Sequence, residues 1–121
     1  MKSETLLIVG KGDCIDTICR EFEDNVRITY GEFCGEHFDG YSKILFVGAL
    51  GICVRSIAPF IKDKHTDPAV VCADSCGNKV ISVLSGHVGG ANTLAKEIAA
   101  IIGGEAVITT RSDNSGLWAL D

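Results

Sequence analysis

The stretch with the most chemical potential runs from Ser85 to Asn92 and reads Ser-Gly-His-Val-Gly-Gly-Ala-Asn. Glycines let other groups approach backbone amides closely, and clustered amides bind groups that develop negative charge on oxygen. His87 adds an imidazole, which exchanges protons near neutral pH. The run predicts oxyanion stabilisation beside a general base, although a histidine that only caps the turn is an equal alternative. The neighbouring binding candidates are Ser85, Gly86, Gly89, Gly90 and Asn92.

A second candidate is the turn from Gly48 to Gly51, which precedes a run with helical spacing of apolar residues. The amides at a helix start carry partial positive charge and attract anions. Arg55, one turn further on, would add a bidentate contact to a carboxylate. The plain alternative is a tight turn followed by a surface arginine.

Asp113 follows the last predicted strand, where its carboxylate would orient an imidazole or act as a base itself. Ser85 does not lie in a G-x-S-x-G turn, which argues against a covalent serine mechanism. The segment His65-Thr-Asp67 precedes a strand. We interpret it as mainly structural, at the edge of the sheet opposite the other candidates.

Two other motifs are incomplete. Gly10-Lys-Gly12 begins like a dinucleotide fingerprint, but position 15 is Ile, so the third glycine is absent and NAD binding is disfavoured. The six cysteines lack the paired spacing of a structural zinc site, and no metal site is predicted. We expect them to be reduced thiols in a cytoplasmic protein.

Composition limits the class of protein. The chain has 121 residues, which fits a single domain over residues 1–121. Its net charge is −5, and it lacks the stripe of lysine and arginine residues with which proteins bind nucleic acid. No apolar run approaches the length of a membrane-spanning helix. Residues 41–80 carry five basic and three acidic side chains, so this part of the chain is the best suited to meet a small anion.

Hydrophobic periodicity alternates between strand and helix along the chain. It predicts helices after Asp13, over 50–61 and over 94–102, and it leaves 30–42 as a loop. The pattern indicates an α/β fold of three layers, with a doubly wound, mostly parallel sheet of five to six strands and one antiparallel hairpin. Ligands bind such sheets beyond the carboxyl ends of the strands, where we place the turns at Gly10, Gly48 and Ser85. The predicted strands are 5–9, 26–29, 43–47, 69–73, 79–83 and 106–109.

Three motifs in this order resemble the cobalamin-biosynthesis protein CbiG family, the cobalt-precorrin-5A hydrolases of the anaerobic corrin pathway. They are Gly51-Ile-Cys-Val-Arg55, Asp67-Pro-Ala-Val-Val71 and Ser85-Gly-His-Val-Gly-Gly-Ala-Asn92. The similarity covers about residues 44–121. The run Thr109-Thr-Arg-Ser-Asp113 departs from the usual T-T-A-T-D of that family.

The resemblance implies hydrolytic opening of the δ-lactone of cobalt-precorrin-5A with loss of acetaldehyde. It implies no protein cofactor, because the corrinoid substrate carries the cobalt. His87 and Asp113 would be catalytic. The positions that match the family and would bind substrate include Gly51, Arg55, Ser85, Gly86, Gly89, Gly90, Asn92 and Thr110.

Members of this family typically continue into a linker and a C-terminal domain. The expected partners are therefore a separate C-terminal domain or a neighbouring methyltransferase of the pathway, with a homodimer as a further option. Two other functions stay open at this stage. One is a non-catalytic module that binds corrinoid and passes it on, and the other is a small nucleotide-binding domain.

Overall fold

The computed structural model describes residues 2–86 and 89–110, whose strands form one six-stranded sheet. The strand order is β2-β1-β3-β4-β5-β6, and every neighbouring pair is parallel except β4 with β5. The predicted doubly wound, mostly parallel sheet with one hairpin is confirmed. The strands are β1 (Ser3–Gly10), β2 (Asn25–Ile28), β3 (Tyr41–Val47), β4 (Ala69–Ala73), β5 (Lys79–Leu84) and β6 (Glu105–Val107).

Helices cover both faces of the sheet, as the predicted three layers require. One face packs against α1 (Ile15–Glu21) and α4 (Ala91–Ile102), and the other against α2 (Gly35–Gly40) and α3 (Leu50–Ile57). The strands between them are buried on both sides, which explains their continuous apolar runs. No helix among the described residues is long and apolar enough to cross a membrane.

The predicted loop over residues 30–42 is wrong, because this segment holds α2 and a 3-10 turn at Tyr30–Glu32. Glycine lies at both ends of α2, and glycine is a poor helix former, so the local pattern reads as a loop. Tertiary packing decides otherwise. Phe38 is fully buried against β1 and β3, and its ring lies 6.0 Å from that of Phe60.

The predicted helix over 50–61 is shorter than expected. It ends at Ile57 and passes into a 3-10 turn at Ala58–Phe60, since the ring of Pro59 cannot continue an α-helix. Only Cys53 and Ile57 of its apolar positions are buried. Its remaining large apolar side chains keep more than two-fifths of their surface exposed, namely Leu50, Ile52, Val54 and, just beyond the 3-10 turn, Ile61.

The β4–β5 turn reverses the chain. The Asp74 carboxylate accepts hydrogen bonds from the amides of Asn78 (2.6 Å) and Lys79 (3.4 Å), while Gly77 takes a φ of +76°. As a result β5 and β6 run opposite to β1–β4. We call the edge where β1, β3 and β4 end the carboxyl edge, and the edge where they begin the amino edge.

This reversal overturns the expectation that the turns at Gly10, Gly48 and Ser85 share one edge. The first two lie at the carboxyl edge, but Ser85 follows β5 and lies at the amino edge. The five residues of β4 hold the two edges roughly 15 Å apart. Ser85 therefore lies on the same side as Asp67, the segment interpreted above as structural and remote.

A pair of glycine substitutions tests the local packing at the carboxyl edge. Gly48 has a φ of +142°, and a Cβ there would collide with the hydroxyl of Tyr30, whereas nothing lies within 4 Å of a Cβ at Gly51 inside α3. We expect Gly48→Ala to lower the free energy of unfolding by at least about 1 kcal/mol. Gly51→Ala should raise it by up to about 1 kcal/mol. Urea denaturation followed by circular dichroism measures both, and equal effects would contradict the described turn.

Candidate functional site

A cavity of about 320 Å³ opens at the amino edge, and we call it the Ser85 cleft. Three separate parts of the chain meet there: the segment before β4, the end of β5 with the turn that follows it, and the two threonines after β6. The polar or charged side chains in its lining are those of Lys62, Asp63, Lys64, Asp67, Ser82, Ser85, Thr109 and Thr110. The end of β5 and the segment after β6 come together because these two strands are parallel.

Ser85 has an unusual backbone conformation. It is the one non-glycine residue in the described part of the chain with a positive φ, +58°, and it is 2% exposed. Its hydroxyl donates to the carbonyl of Asp67 at 3.3 Å, so the turn after β5 is fastened to the segment before β4. Left-handed backbone in a non-glycine residue is uncommon and is found disproportionately at functional sites.

The glycine-rich turn packs against itself rather than presenting open amides. The carbonyl of Ser85 accepts from the amides of Gly89 (3.0 Å) and Ala91 (3.2 Å), and the carbonyl of Gly86 accepts from that of Asn92 (2.9 Å). In this conformation the amides of Gly89, Ala91 and Asn92 are therefore taken up by the chain's own carbonyls, and the oxyanion role expected of this turn stays a prediction. The glycine at position 89 has a packing reason, since a Cβ there would lie 2.5 Å from that of Ser85.

Asp67 organises the neighbouring wall of the cleft. Its carboxylate oxygen Oδ2 accepts from the amides of Lys62 (2.9 Å) and Asp63 (3.1 Å), and the residue is 7% exposed. A buried carboxylate needs such donors to replace the hydrogen bonds that it would make with water. Asp67 was interpreted from the sequence as structural, and it does hold its own loop, but it also lines the cleft beside Ser85. The signal in the sequence was the predicted hairpin, because it reverses the direction of β5 and so brings Ser85 to the edge where Asp67 lies.

Asn92 connects the two strands that end at the cleft. Its side-chain oxygen accepts from the Ser82 hydroxyl at 2.7 Å, and its amide nitrogen donates to the Thr110 hydroxyl at 2.8 Å. The side chain is 5% exposed. Asn92, predicted as a substrate ligand, thus positions Thr110 at the cleft.

Charge at the cleft is mixed. Lys62 reaches Asp39 at 2.8 Å and lies over the ring of Phe38, while Lys64 is exposed at the opening. Burial lowers the pKa of the nearby Lys2. The carboxylates of Asp39 and Asp67 act to raise this pKa, and the charge of Lys62 acts to lower it. The exposed cations at the opening are suited to carboxylates that arrive from solvent.

Several predicted site residues do not reach the Ser85 cleft. Gly51 and Arg55 are exposed on α3 and do not line it, because α3 starts at the carboxyl edge. His87 and Asp113 lie outside the described residues, so their catalytic roles stay predictions. Gly86 lines the cleft, and Gly89 is in contact with Ser85.

A second cavity of about 340 Å³ lies at the carboxyl edge between β1 and β3. Its walls include Tyr30 and Ile52, and the Tyr30 hydroxyl donates to the carbonyl of Val47. Gly10 and Gly48 make room for that tyrosine, since a Cβ at either would meet its ring or hydroxyl. These two glycines therefore serve packing.

The cysteines form no disulfide: all six are described, and each is a free thiol. Within residues 2–86 and 89–110 no three histidine, cysteine or acidic side chains cluster as metal ligands would.

Comparison with known proteins finds relatives that are similar to this chain over most of its length. The family described as "Cobalamin synthesis G N-terminal" matches residues 32–113. A cobalt-precorrin-5A hydrolase of Salmonella typhimurium is 50% identical over 84 residues, which is 69% of this chain and 24% of the relative. One from Priestia megaterium is 47% identical over 103 residues, or 85% of this chain and 26% of the relative. The chain spans about a quarter of the length of these curated relatives.

The fold also has a solved counterpart. The crystal structure of a cobalamin biosynthesis protein G homologue from Sulfolobus solfataricus superposes with a TM-score of 0.76 and 31% sequence identity. The match covers 88% of this chain and 37% of that chain.

The role of Asn92 as a connector can be measured. Asn92→Ala removes the hydrogen bonds that this side chain makes with the Ser82 and Thr110 hydroxyls, so we expect the free energy of unfolding to fall by about 1–3 kcal/mol. Thr93→Ala, at an exposed position in the same turn of α4, is the matched control and should change it by less than about 0.5 kcal/mol. Equal losses in urea denaturation would show that the side chain does not connect the strands.

Proposed function

Because the chain belongs to the cobalamin synthesis G N-terminal family, we propose that it acts in cobalamin biosynthesis as part of a cobalt-precorrin-5A hydrolase. In this reaction water opens the δ-lactone of the corrinoid, and a two-carbon fragment leaves as acetaldehyde. The observation that carries the proposal is the convergence of Asp67, Ser85, Gly86 and Thr110 on one cleft. These positions come from three stretches that are distant in sequence, and they belong to the motifs that indicated the family.

The cleft suits one edge of the substrate rather than the whole molecule. A tetrapyrrole macrocycle with its acetate and propionate arms is larger than a cavity of about 320 Å³. The lactone-bearing edge would enter beside Ser85, and the carboxylate arms would meet the ammonium groups of Lys62 and Lys64 at the opening. Cobalt belongs to the substrate in this scheme.

The hydrolytic step needs a base for water. We assign this role to His87, which directly follows Gly86 in the sequence; Gly86 itself lines the cleft. The imidazole takes a proton from water, the hydroxide oxygen adds to the lactone carbonyl carbon, and the ring C–O bond breaks to give a carboxylate and a hydroxyl group. Loss of the hydroxyl proton and cleavage of the adjacent C–C bond release acetaldehyde. The bonding electrons stay on the macrocycle.

The oxyanion of the intermediate needs a donor besides the amides of Gly89, Ala91 and Asn92, which the carbonyls of Ser85 and Gly86 occupy. We assign this role to the hydroxyl of Thr109, which is exposed at the cleft. A donor at this position stabilises the negative charge that develops on oxygen in the transition state.

A second candidate function is a binding module that holds corrinoid without reacting. The observation that favours it is length, since the chain spans about a quarter of its curated relatives. The 121-residue chain would then bind corrinoid and release no acetaldehyde, and release would require a second polypeptide.

The catalytic role of His87 has a direct test. We expect His87→Asn to reduce acetaldehyde release from cobalt-precorrin-5A by at least about 100-fold, because general-base assistance contributes this much. His65→Asn is the matched control, since His65 is exposed and does not line the cleft. Its rate should match that of the wild type. Unchanged release by the His87 variant would reject the assignment.

The role of Lys64 in binding substrate carboxylates is tested separately. Lys64→Met should raise KM about three- to tenfold and weaken its dependence on salt, because an exposed ion pair contributes little more than this. Lys96→Met, at an exposed position on α4, removes the same charge away from the cleft. A similar rise in KM for both variants would indicate a general effect of net charge instead.

A further inference from the structure

An exposed apolar surface continues from the Ser85 cleft across one face of the sheet. On this face, α3 covers β3 and β4, while no described helix covers β5 and β6. Ile81 pairs with the buried Cys72 on that face, and Val107 pairs with Ile81, so both point to the same side. We call this surface the apolar shelf and define it by Leu50, Val54, Ile61, Ile81, Val83 and Val107.

The orientation of α3 places its exposed side chains toward the shelf. Ile52 lines the cavity beside Tyr30, on the side of β1 and β2. Helical spacing turns Leu50 and Val54 to the opposite flank, toward β5. Ile61, beyond the 3-10 turn, joins the shelf to the Ser85 cleft, because it lines the cleft together with Val83.

Three large apolar side chains on this flank are exposed. Leu50, Val54 and Ile61 are 41%, 45% and 46% exposed, and Ile61 lines the cleft with the half-buried Val83 of β5. Contiguous apolar surface beside polar groups is typical of ligand grooves and protein interfaces. Three cations border it: Arg55 on the exposed side of α3, and Lys62 and Lys64 where the shelf meets the cleft.

We propose that the apolar shelf carries the flat face of the corrinoid macrocycle while the Ser85 cleft holds its reacting edge. The inference rests on the proposed function and extends its site. Two features favour this ligand over another protein: the shelf is continuous with the cleft, and its bordering cations match a ring whose rim bears carboxylates. The open space above Gly51 leaves α3 without a side chain where the ring would extend. Arg55, which is exposed on α3 and does not line the cleft, meets a carboxylate arm at the outer border.

The test measures the Kd of the 121-residue chain for cobyrinic acid, a corrinoid with free carboxylate arms, by equilibrium dialysis with absorbance detection. Val54→Glu places an anion on the shelf, and we expect it to raise Kd at least about tenfold. Leu50→Glu, one turn earlier, should act in the same way. Val26→Glu is the matched control: Val26 is 38% exposed on β2, at the far side of the sheet, and its Kd should stay within about twofold of the wild type.

The fully methyl-esterified form of the same corrinoid separates contact from long-range repulsion. Its arms are neutral, so wild-type binding should be weaker and less sensitive to salt. Val54→Glu should still weaken it, because the apolar contact is lost. Circular dichroism and gel filtration establish that each variant is folded and report its oligomeric state.

Each contrary outcome has a distinct meaning. If Val54→Glu binds cobyrinic acid like the wild type while Lys64→Met binds it more weakly, the shelf proposal is overturned and the cleft stands. If the wild type binds neither corrinoid, both the shelf and the proposed function are overturned. If Val54→Glu changes the oligomeric state but not Kd, the shelf is a protein interface and the proposal is overturned.

Discussion

The site depends on the reversal of the chain between β4 and β5. Hydrogen bonds from Asn78 and Lys79 to the Asp74 carboxylate, with the left-handed Gly77, close the turn. Without this reversal the segment after β5 would emerge at the carboxyl edge, among Gly10, Gly48 and the start of α3. With it, Ser85 emerges beside Asp67. Since β6 is parallel to β5, Thr110 is brought to the same place, and one short turn thereby determines which residues are neighbours.

Much of the fold follows from the sequence because strands that are buried on both faces consist of continuous apolar runs. This holds for β1, β3 and β4, and the sequence locates these strands and the less buried β5 to within two residues. The helix at α2 was missed for the opposite reason. It is short and bounded by glycines, and it forms because Phe38 fills the space between strands, a contact between residues that lie apart in the chain.

The site was harder to predict than the fold, because its location depends on the direction in which β5 runs. The sequence singles out the Ser85 turn and predicts the hairpin, which the structure confirms, but it does not make plain that the hairpin moves Ser85 to the other edge of the sheet. Open amides are expected from composition, and in the structure the carbonyls of Ser85 and Gly86 occupy those of Gly89, Ala91 and Asn92. Whether an amide is free depends on where the preceding carbonyls point, and the left-handed φ of Ser85, which sets this, leaves no mark in the pattern of residue types.

The buried side chain of Asn92 has a mechanical consequence. It joins the first turn of α4 to the hydroxyls of Ser82 and Thr110, so three stretches of backbone are held by one amide group. A pull on the polypeptide at position 110 is therefore transmitted to the turn containing Ser85 through hydrogen bonds of 3 Å or less rather than being absorbed by solvent. A force on the chain after β6 would therefore shift the turn at the opening of the Ser85 cleft.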